Sequence, residues 1–538
     1  MDTATPALPT FVFILAALTP GQTPVLPATA SLPTSPGTYS VVVATVGDVD
    51  GDGSPDLAIA EVRSWVTPGP GSISVLSGTD ASVLVTLDST PFAAYFGWSM
   101  QPLGDVDGDG VPDLLIGGMA TNTPVFVAYS CATGLPIWIN VLPGPLTVGP
   151  GPILAAIGDV NGDGISDFVD PDGAGPNATQ IRSGADGTLL RGITGFPVGA
   201  SYGFNAAGVG DVTGDGVPDF VVGSNYFGNR AAGLFSGATG AEIRSWPVVG
   251  PIGWAYALAG PGDVDDDGVP DIAIATSPNT ATGSEGQITV WSGATNQQVF
   301  SVQGEMVAMN LGLLLTGAGD VDGDTVPDLA TVATAPFAST SPDVVRFLSG
   351  RDGSTIANFE LPTPLSRANR IATPGDIDGD GCSDVAVGSQ EWSPPPIPSG
   401  RVQLIRGPGP ALDVLSPASI TSGAFALQAR CPLEANAPWI ALFSMSTLPG
   451  IALPDGRTIP LALDALTVLA VTPGNGVFFN VAGTLDAAGI APTAVSVLLP
   501  NDPALIGVTI WTALVTADPG GAWGVGRIGR SRPLLIVP

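Results

Sequence analysis

The 538-residue chain carries 48 acidic and 16 basic residues, a formal net charge of −32, and no His. Every basic residue is Arg, so Lys is absent as well. Without clustered cations the chain does not suit nucleic acid or anionic membranes, and without His or Lys it has no Ser-His or Cys-His pair, no Schiff base, no His-ligated zinc and no imidazole base.

Residues 10–18, TFVFILAAL, form an apolar run that is too short to span a bilayer and has the length of a signal-peptide core. The segment before it departs from that pattern, with Asp2 and no Lys or Arg. Residues 1–21 are read as a signal peptide and 22–39 as a Pro/Thr-rich linker, which predicts a secreted or cell-surface protein. No other segment reads as a membrane span. Cys131, Cys382 and Cys431 are too few and too scattered for a disulfide framework and are read as isolated buried thiols.

From residue 40 the sequence repeats. An acidic nine-residue loop, first written DVDGDGSPD, begins at Asp48, Asp105, Asp159, Asp211, Asp263, Asp320 and Asp376. Its period, a little over 50 residues, suits one four-stranded propeller blade. In the first repeat YSVVVATVGD leads into the loop, DLAIAEV leaves it, GSISVLSG comes after a Pro/Gly stretch and SVLVTLD after a tight turn, which reads as four antiparallel strands. A turn of the SG type recurs after the third strand in repeats one to six. In the seventh, RVQLIRGPGP breaks the pattern, and an N-terminal segment that closes a ring would supply the missing outer strand.

The acidic loops stop near residue 411. The C-terminal stretches AFALQARC, APWIALFSM, LTVLAVTP, GVFFNVAGTL, AVSVLLP and IGVTIWTALVTAD read as further strands without helical periodicity. The expected fold is therefore all-β: a seven-bladed β-propeller over 40–411, then a small C-terminal β-sandwich-like domain over 412–538.

Twenty-six of the 48 carboxylates sit at alternating positions of the seven loops. Carboxylates at positions 1, 3, 5 and 9, with the backbone carbonyl of position 7, converge when the chain curls around a point, as in the first part of an EF-hand loop, although here a strand comes next. The candidate ligands are Asp48, Asp50, Asp52, Ser54 and Asp56, then Asp105, Asp107, Asp109, Val111 and Asp113, then Asp159, Asn161, Asp163, Ile165 and Asp167. The fourth loop offers Asp211, Thr213, Asp215, Val217 and Asp219, and the fifth Asp263, Asp265, Asp267, Val269 and Asp271. The sixth offers Asp320, Asp322, Asp324, Val326 and Asp328, and the seventh Asp376, Asp378, Asp380, Cys382 and Asp384. An all-oxygen, flexible, many-ligand loop prefers Ca²⁺, up to seven ions in all, over Mg²⁺. Gly occupies position 6 except at Thr325, whose branched side chain resists a positive φ, so the sixth site is expected to be distorted. Asn161 and Thr213 remove one charge each from the third and fourth sites.

At these residues the chain resembles the FG-GAP repeat family, whose best-known members are the propellers of integrin alpha subunits. The DxDxDGxxD loop, the Gly ahead of it (Gly47, Gly104), the apolar run after it and Phe96-Gly97 carry the resemblance; Tyr202-Gly203-Phe204 keeps part of the Phe-Gly signature and later repeats lose it. It spans roughly residues 40–411 and implies a Ca²⁺-binding propeller. FG-GAP propellers occur in adhesion receptors, lectins and accessory regions of enzymes, so the resemblance is not specific for function. No catalytic signature is present, and the chain is expected not to be an enzyme. The expected role is an adhesion or ligand-binding module taking a protein or glycan ligand on the face opposite the acidic loops, whose connections carry Trp65, Tyr226, Phe227, Arg230 and Trp392, with Tyr95 and Trp98 assigned to packing. The alternative is a carbohydrate-binding or carbohydrate-processing protein.

Overall fold

The computed structural model describes residues 30–33, 40–63, 71–89, 94–120, 123–141, 154–173, 178–193, 202–224, 231–247, 253–278, 285–304, 310–322, 326–334, 343–361, 366–377, 382–391, 399–407, 411–414, 421–431, 436–447, 450–453, 458–459, 461–472, 475, 477–486, 489–517, 525–528 and 532–536. The segments read as a signal peptide, and Trp65, Tyr226, Phe227, Arg230, Thr325 and Trp392, lie outside these residues. The described chain is all-β, with one α-helix and one short 3-10 turn.

Four-stranded antiparallel sheets dominate. In the first, Ser40–Gly47, Asp56–Val62, Ser72–Leu76 and Val83–Leu87 pair in chain order. The second strand is buried almost throughout, whereas the fourth is largely exposed. A strand covered on both faces has no solvent side, which is why DLAIAEV reads as a run instead of an alternation. Five further sheets repeat this order, each with an acidic loop between its first two strands.

The sheet that carries the last acidic loop is assembled differently. Ser366–Gly375, Asp384–Glu391 and Ser399–Ile405 are followed in space by Ala30–Pro33, with Ala30 opposite Leu404 and Pro33 opposite Arg401. Part of the stretch read as a linker is thus a strand. It supplies hydrogen-bond partners to a strand whose edge would otherwise be bare.

Neighbouring sheets meet at their acidic loops. A Cβ placed on Gly47 would stand 3.0 Å from Pro112 of the next loop, and the same relation joins Gly158 to Pro218, Gly210 to Pro270, Gly262 to Pro327 and Gly319 to Ser383. Between the second and third loops, Ser166 N–H donates to the Leu103 carbonyl at 3.0 Å. From Gly375 the series returns to Pro55 of the first loop, at 3.5 Å. Between first and last sheets, Val41, Val43, Leu57, Ala386 and Val402 share one apolar core.

Beyond residue 410, one sheet contains Ala424–Arg430 and Val495–Leu498 and another contains Pro438–Ser444 and Thr509–Ala517. Both contribute to one core, including Phe425, Leu427, Trp439, Phe443, Val497 and Leu514. The stretch LTVLAVTP, expected as a strand, is instead the helix Ala465–Val471. Asp464 decides it: the side chain caps the amides of Leu466 and Thr467, both at 2.9 Å, and Thr467 completes a capping box. Branched side chains suggested a strand, and the cap overrode them. The expected strand GVFFNVAGTL is split into Phe478–Phe479 and Ala482–Thr484 by Asn480, which takes φ 55°.

Removing residues 1–33 strips the outer strand from the last sheet, whereas removing 1–29 leaves it. The longer truncation is expected to melt several degrees below the shorter one; equal melting curves would show that Ala30–Pro33 contributes nothing.

Candidate metal centres

Each loop is built by its own carboxylates. In the first, Asp48 Oδ1 accepts from the amides of Gly51 at 2.7 Å and Asp52 at 3.1 Å, while Oδ2 accepts from Gly53 at 2.9 Å. The same fan recurs around Asp105, Asp159 and Asp211. Curling the chain this tightly requires a positive φ at position 6, and Gly53, Gly110, Gly164, Gly216 and Gly268 all adopt one, between 85° and 89°. Position 4 is also left-handed, and in the fifth loop Asp266 takes φ 60° there, a requirement the spacing of the carboxylates did not reveal.

The carboxylate at position 9 is buried in all seven loops, at most 2% exposed. In the first, Asp56 Oδ2 accepts from Val49 N–H at 2.7 Å, within the loop, and Oδ1 from Gly78 N–H at 2.9 Å, in the hairpin turn after the third strand. Asp113, Asp167, Asp219, Asp271 and Asp328 make the same pair of bonds, to their own loop and to their own hairpin, and Asp384 accepts from Ile377 in its loop and from Gly407, just beyond its third strand. This explains the recurrent Ser-Gly turn. A Cβ on Gly78, Gly184, Gly237, Gly293 or Gly350 would fall 1.8 to 2.1 Å from the carbonyl of loop position 8, so the turn could not approach the carboxylate. In the second repeat Cys131 stands where the others have Gly, and its bond to Asp113 is the longest of these hairpin bonds, at 3.2 Å.

Oxygen atoms of positions 1, 3 and 9 converge to within 4.8 Å of one another in four loops: Asp48, Asp50 and Asp56; Asp105, Asp107 and Asp113; Asp263, Asp265 and Asp271; Asp320, Asp322 and Asp328. In the first, second and fifth loops position 5, though described, lies outside the triad. Asp52, Asp109, Asp163, Asp215 and Asp267 use one oxygen to accept the amide of position 7, at 2.8 to 2.9 Å. The other oxygen of Asp52 accepts from the Thr79 hydroxyl, and that of Asp267 from Ser292 Oγ at 3.3 Å, which links the loop rim to the hairpin. In the third loop Asn161 donates to Asp163 at 2.9 Å, and in the fourth Thr213 donates to Asp211 at 3.4 Å, so a neutral group replaces the middle carboxylate. Asp324, Asp378 and Asp380 lie outside the described residues. The Cys382 thiol donates to the Val321 carbonyl at 2.8 Å, and all three cysteines are buried and outside any disulfide.

Burial raises Asp113, Asp167 and Asp271 to about 6 and Asp328 to about 7 from an ordinary 3.8, with the backbone donors offsetting part of the shift. Asp56 and Asp219 are raised for the same reason. Two carboxylates this close repel by roughly 3 to 4 kcal/mol at an effective dielectric near 20. A divalent cation removes both penalties. The donor set is wholly oxygen and carries three negative charges per triad, which suits a hard cation.

Chains from several organisms are similar to this one. Integrin alpha-V of Gallus gallus is 28% identical over 260 residues, 46% of this chain and 21% of the relative. Integrin alpha-PS2 of Drosophila melanogaster is 30% identical over 218 residues, 35% of this chain and 15% of the relative. Integrin alpha-3 of Cricetulus griseus is 32% identical over 170 residues, 28% of this chain and 16% of the relative. The chain is similar to integrin alpha subunits. It spans about a fifth or less of their length, and no protein-family model matches it.

Two outcomes are expected. Without metal, the folded chain binds protons at Asp113, Asp167, Asp271 and Asp328 that the unfolded chain, titrating near 3.8, has already released. Metal-free stability therefore rises as pH falls from about 7 towards 4, and is lost as pH rises through 6 to 7. Melting curves in chelator should give a higher Tm at pH 5 than at pH 7, with the difference abolished or reversed in excess Ca²⁺. Separately, Gly237→Ala forces a Cβ to 1.8 Å from the Pro218 carbonyl and is expected to cost about 3 kcal/mol or more. Gly53→Ala meets nothing within 4 Å and incurs only its φ of 89°, about 1 kcal/mol. Urea unfolding in Ca²⁺ ranks the two, and the reverse order would refute the clamp.

Proposed function

We propose that the sheets of residues 30–405 are seven blades of an FG-GAP propeller, that each acidic loop holds one Ca²⁺, and that the exported protein is an adhesion or ligand-binding module, not an enzyme. The observation that carries the reading is the convergence of the position 1, 3 and 9 carboxylates in loops of an integrin-alpha-like chain. The blade assignment draws support from the chain of loop contacts that starts at Gly47 and returns from Gly375 to Pro55. Two sheets sharing one core support a C-terminal sandwich over 412–538. No helix among the described residues is long and apolar enough to cross a membrane.

The metal loops are alike in every blade and offer little to tell one partner from another. Recognition is assigned to the opposite connections, with Tyr226, Phe227 and Arg230 as contact residues for a protein ligand. Tyr95 and Trp98 are left to packing: Tyr95 is buried and meets Trp98 edge-on at 6.0 Å.

Ca²⁺ at a hundredfold above its dissociation constant adds about 2.7 kcal/mol per independent site, so Tm should rise markedly from chelator to excess Ca²⁺. Equal values would refute the metal assignment. In parallel, arrays of extracellular proteins and of glycans are probed with the Ca²⁺-loaded chain. Binding to a protein that is lost with Tyr226→Ala, Phe227→Ala or Arg230→Ala at unchanged Tm supports the module reading. Glycan-selective binding would transfer it to the lectin alternative, and turnover of the glycan would overturn the non-enzymatic assignment.

A further inference from the structure

Three of the glycines that deliver an amide to a buried carboxylate are also held on their carbonyl side. In the third sheet Gly184 N–H donates to Asp167 Oδ1 at 3.0 Å, and the Gly184 carbonyl accepts from Trp138 Nε1 at 3.0 Å. In the fourth, Gly237 N–H donates to Asp219 Oδ1 at 3.0 Å, and its carbonyl accepts from Arg191 Nη1 at 2.8 Å. In the fifth, Gly293 N–H donates to Asp271 Oδ1 at 2.8 Å, and its carbonyl accepts from Arg244 Nη1. All three side-chain donors stand on the fourth strand of the preceding sheet: Trp138 in Pro136–Val141, Arg191 in Leu189–Gly192 and Arg244 in Glu242–Pro247. Trp138 is itself fixed, stacked on Phe168 with ring centroids 6.3 Å apart.

The donors share one register position, eight residues after the hairpin Ser of their own sheet, at Ser130, Ser183 and Ser236. At the same position the first, fifth and sixth sheets have Val85, Phe300 and Ala357, whose side chains carry no N–H. Packing between sheets does not require the donor, because Val85 and Phe300 reach the cores shared with the next sheet without one. The donor is therefore placed where a particular glycine needs it. Two of the three loops so served are the ones in which Asn161 and Thr213 replace the middle carboxylate. Affinity in an oxygen-ligand loop is set by charge count and by rigidity, so a loop short of charge depends more on the placement of the carboxylates it keeps.

We propose that Trp138, Arg191 and Arg244 are positioning residues for the metal sites of the third, fourth and fifth loops. Each holds the hairpin glycine of the next sheet, and the amide of that glycine in turn fixes the position 9 carboxylate. The inference rests on the reading that the loops hold Ca²⁺. It makes these three sites the joint product of two sheets, and it ties the affinity of a loop to a side chain that belongs to the repeat before it.

The test is equilibrium dialysis of the full chain against a range of free Ca²⁺ concentrations, for the parent, Trp138→Phe, Arg191→Met and Arg191→Lys, with melting curves in Ca²⁺ and in chelator. Trp138→Phe keeps an aromatic ring beside Phe168 and removes the N–H, and Arg191→Met keeps the stem and removes the guanidinium. In each of these two variants one bound ion per chain is expected to move to about tenfold higher free Ca²⁺ while the others stay in place. Arg191→Lys retains a donor and should recover most of the loss. A role in packing alone would lower Tm equally in Ca²⁺ and in chelator and leave the dialysis curve unmoved, and that result overturns the proposal, as does a loss in Arg191→Lys equal to that in Arg191→Met. Should Arg191→Met fail to fold, Trp138→Phe decides alone. A parent chain that binds no Ca²⁺ removes the metal reading and this inference together; a parent that binds it, with folded variants that bind it equally well, removes the inference alone.

Discussion

A buried carboxylate held by two backbone amides organises this protein. At the end of every acidic loop an Asp is removed from water and accepts one amide from its own loop and one from the segment that follows the third strand of its sheet. The two bonds fix the loop to the sheet, and the burial makes the negative charge costly, as the raised values of Asp113 and Asp328 register. The proposed cation and the close packing of the sheet therefore depend on the same side chain. Removing either one strains the other.

That constraint accounts for the less conspicuous features of the repeat. The hairpin turn must come within hydrogen-bonding distance of the carboxylate, so it has Gly where the carbonyl of position 8 passes. Position 8 in turn, Pro in five loops and Ser in two, lies against the Gly that precedes the neighbouring loop in most of the series. Each sheet is thus tied internally by a hydrogen bond and externally by a steric fit, both within a few residues of the candidate metal ligands. Where the repeat departs from type the bonding changes with it, as in the lengthened contact of Cys131 and the left-handed Asp266.

Much of this was legible in the sequence because the carboxylates recur at fixed offsets, and a chemical requirement repeated in seven loops is hard to mistake for turn preference. Strand order was legible in the same way, from apolar runs on either side of each loop. The clamp between Asp56 and Gly78 was not, because its two ends are separated by a variable stretch: the corresponding separations run from 17 to 23 residues. Nor was the non-participation of position 5 in the triads, since Asp52 and its counterparts look identical in sequence to the carboxylates that converge. The helix Ala465–Val471 was missed for a different reason: seven residues give too few turns for a periodic signal, and only the cap Asp464 announced it.

The pairing of Ala30–Pro33 with Ser399–Ile405 has a consequence for how the chain is made. Its partners lie about 370 residues apart, the kind of contact that raises contact order and slows folding. During synthesis the first of these strands emerges long before the second exists, and at a ribosomal rate of about 5 to 20 residues per second it waits on the order of half a minute for its partner. Throughout that interval the earlier sheets present an apolar flank, Val41, Val43 and Leu57, that only the last sheet covers. The cover of Val41, Val43 and Leu57 is therefore completed only when the last sheet has been made, so the closing of this flank is timed by the sequence separation of the two strands.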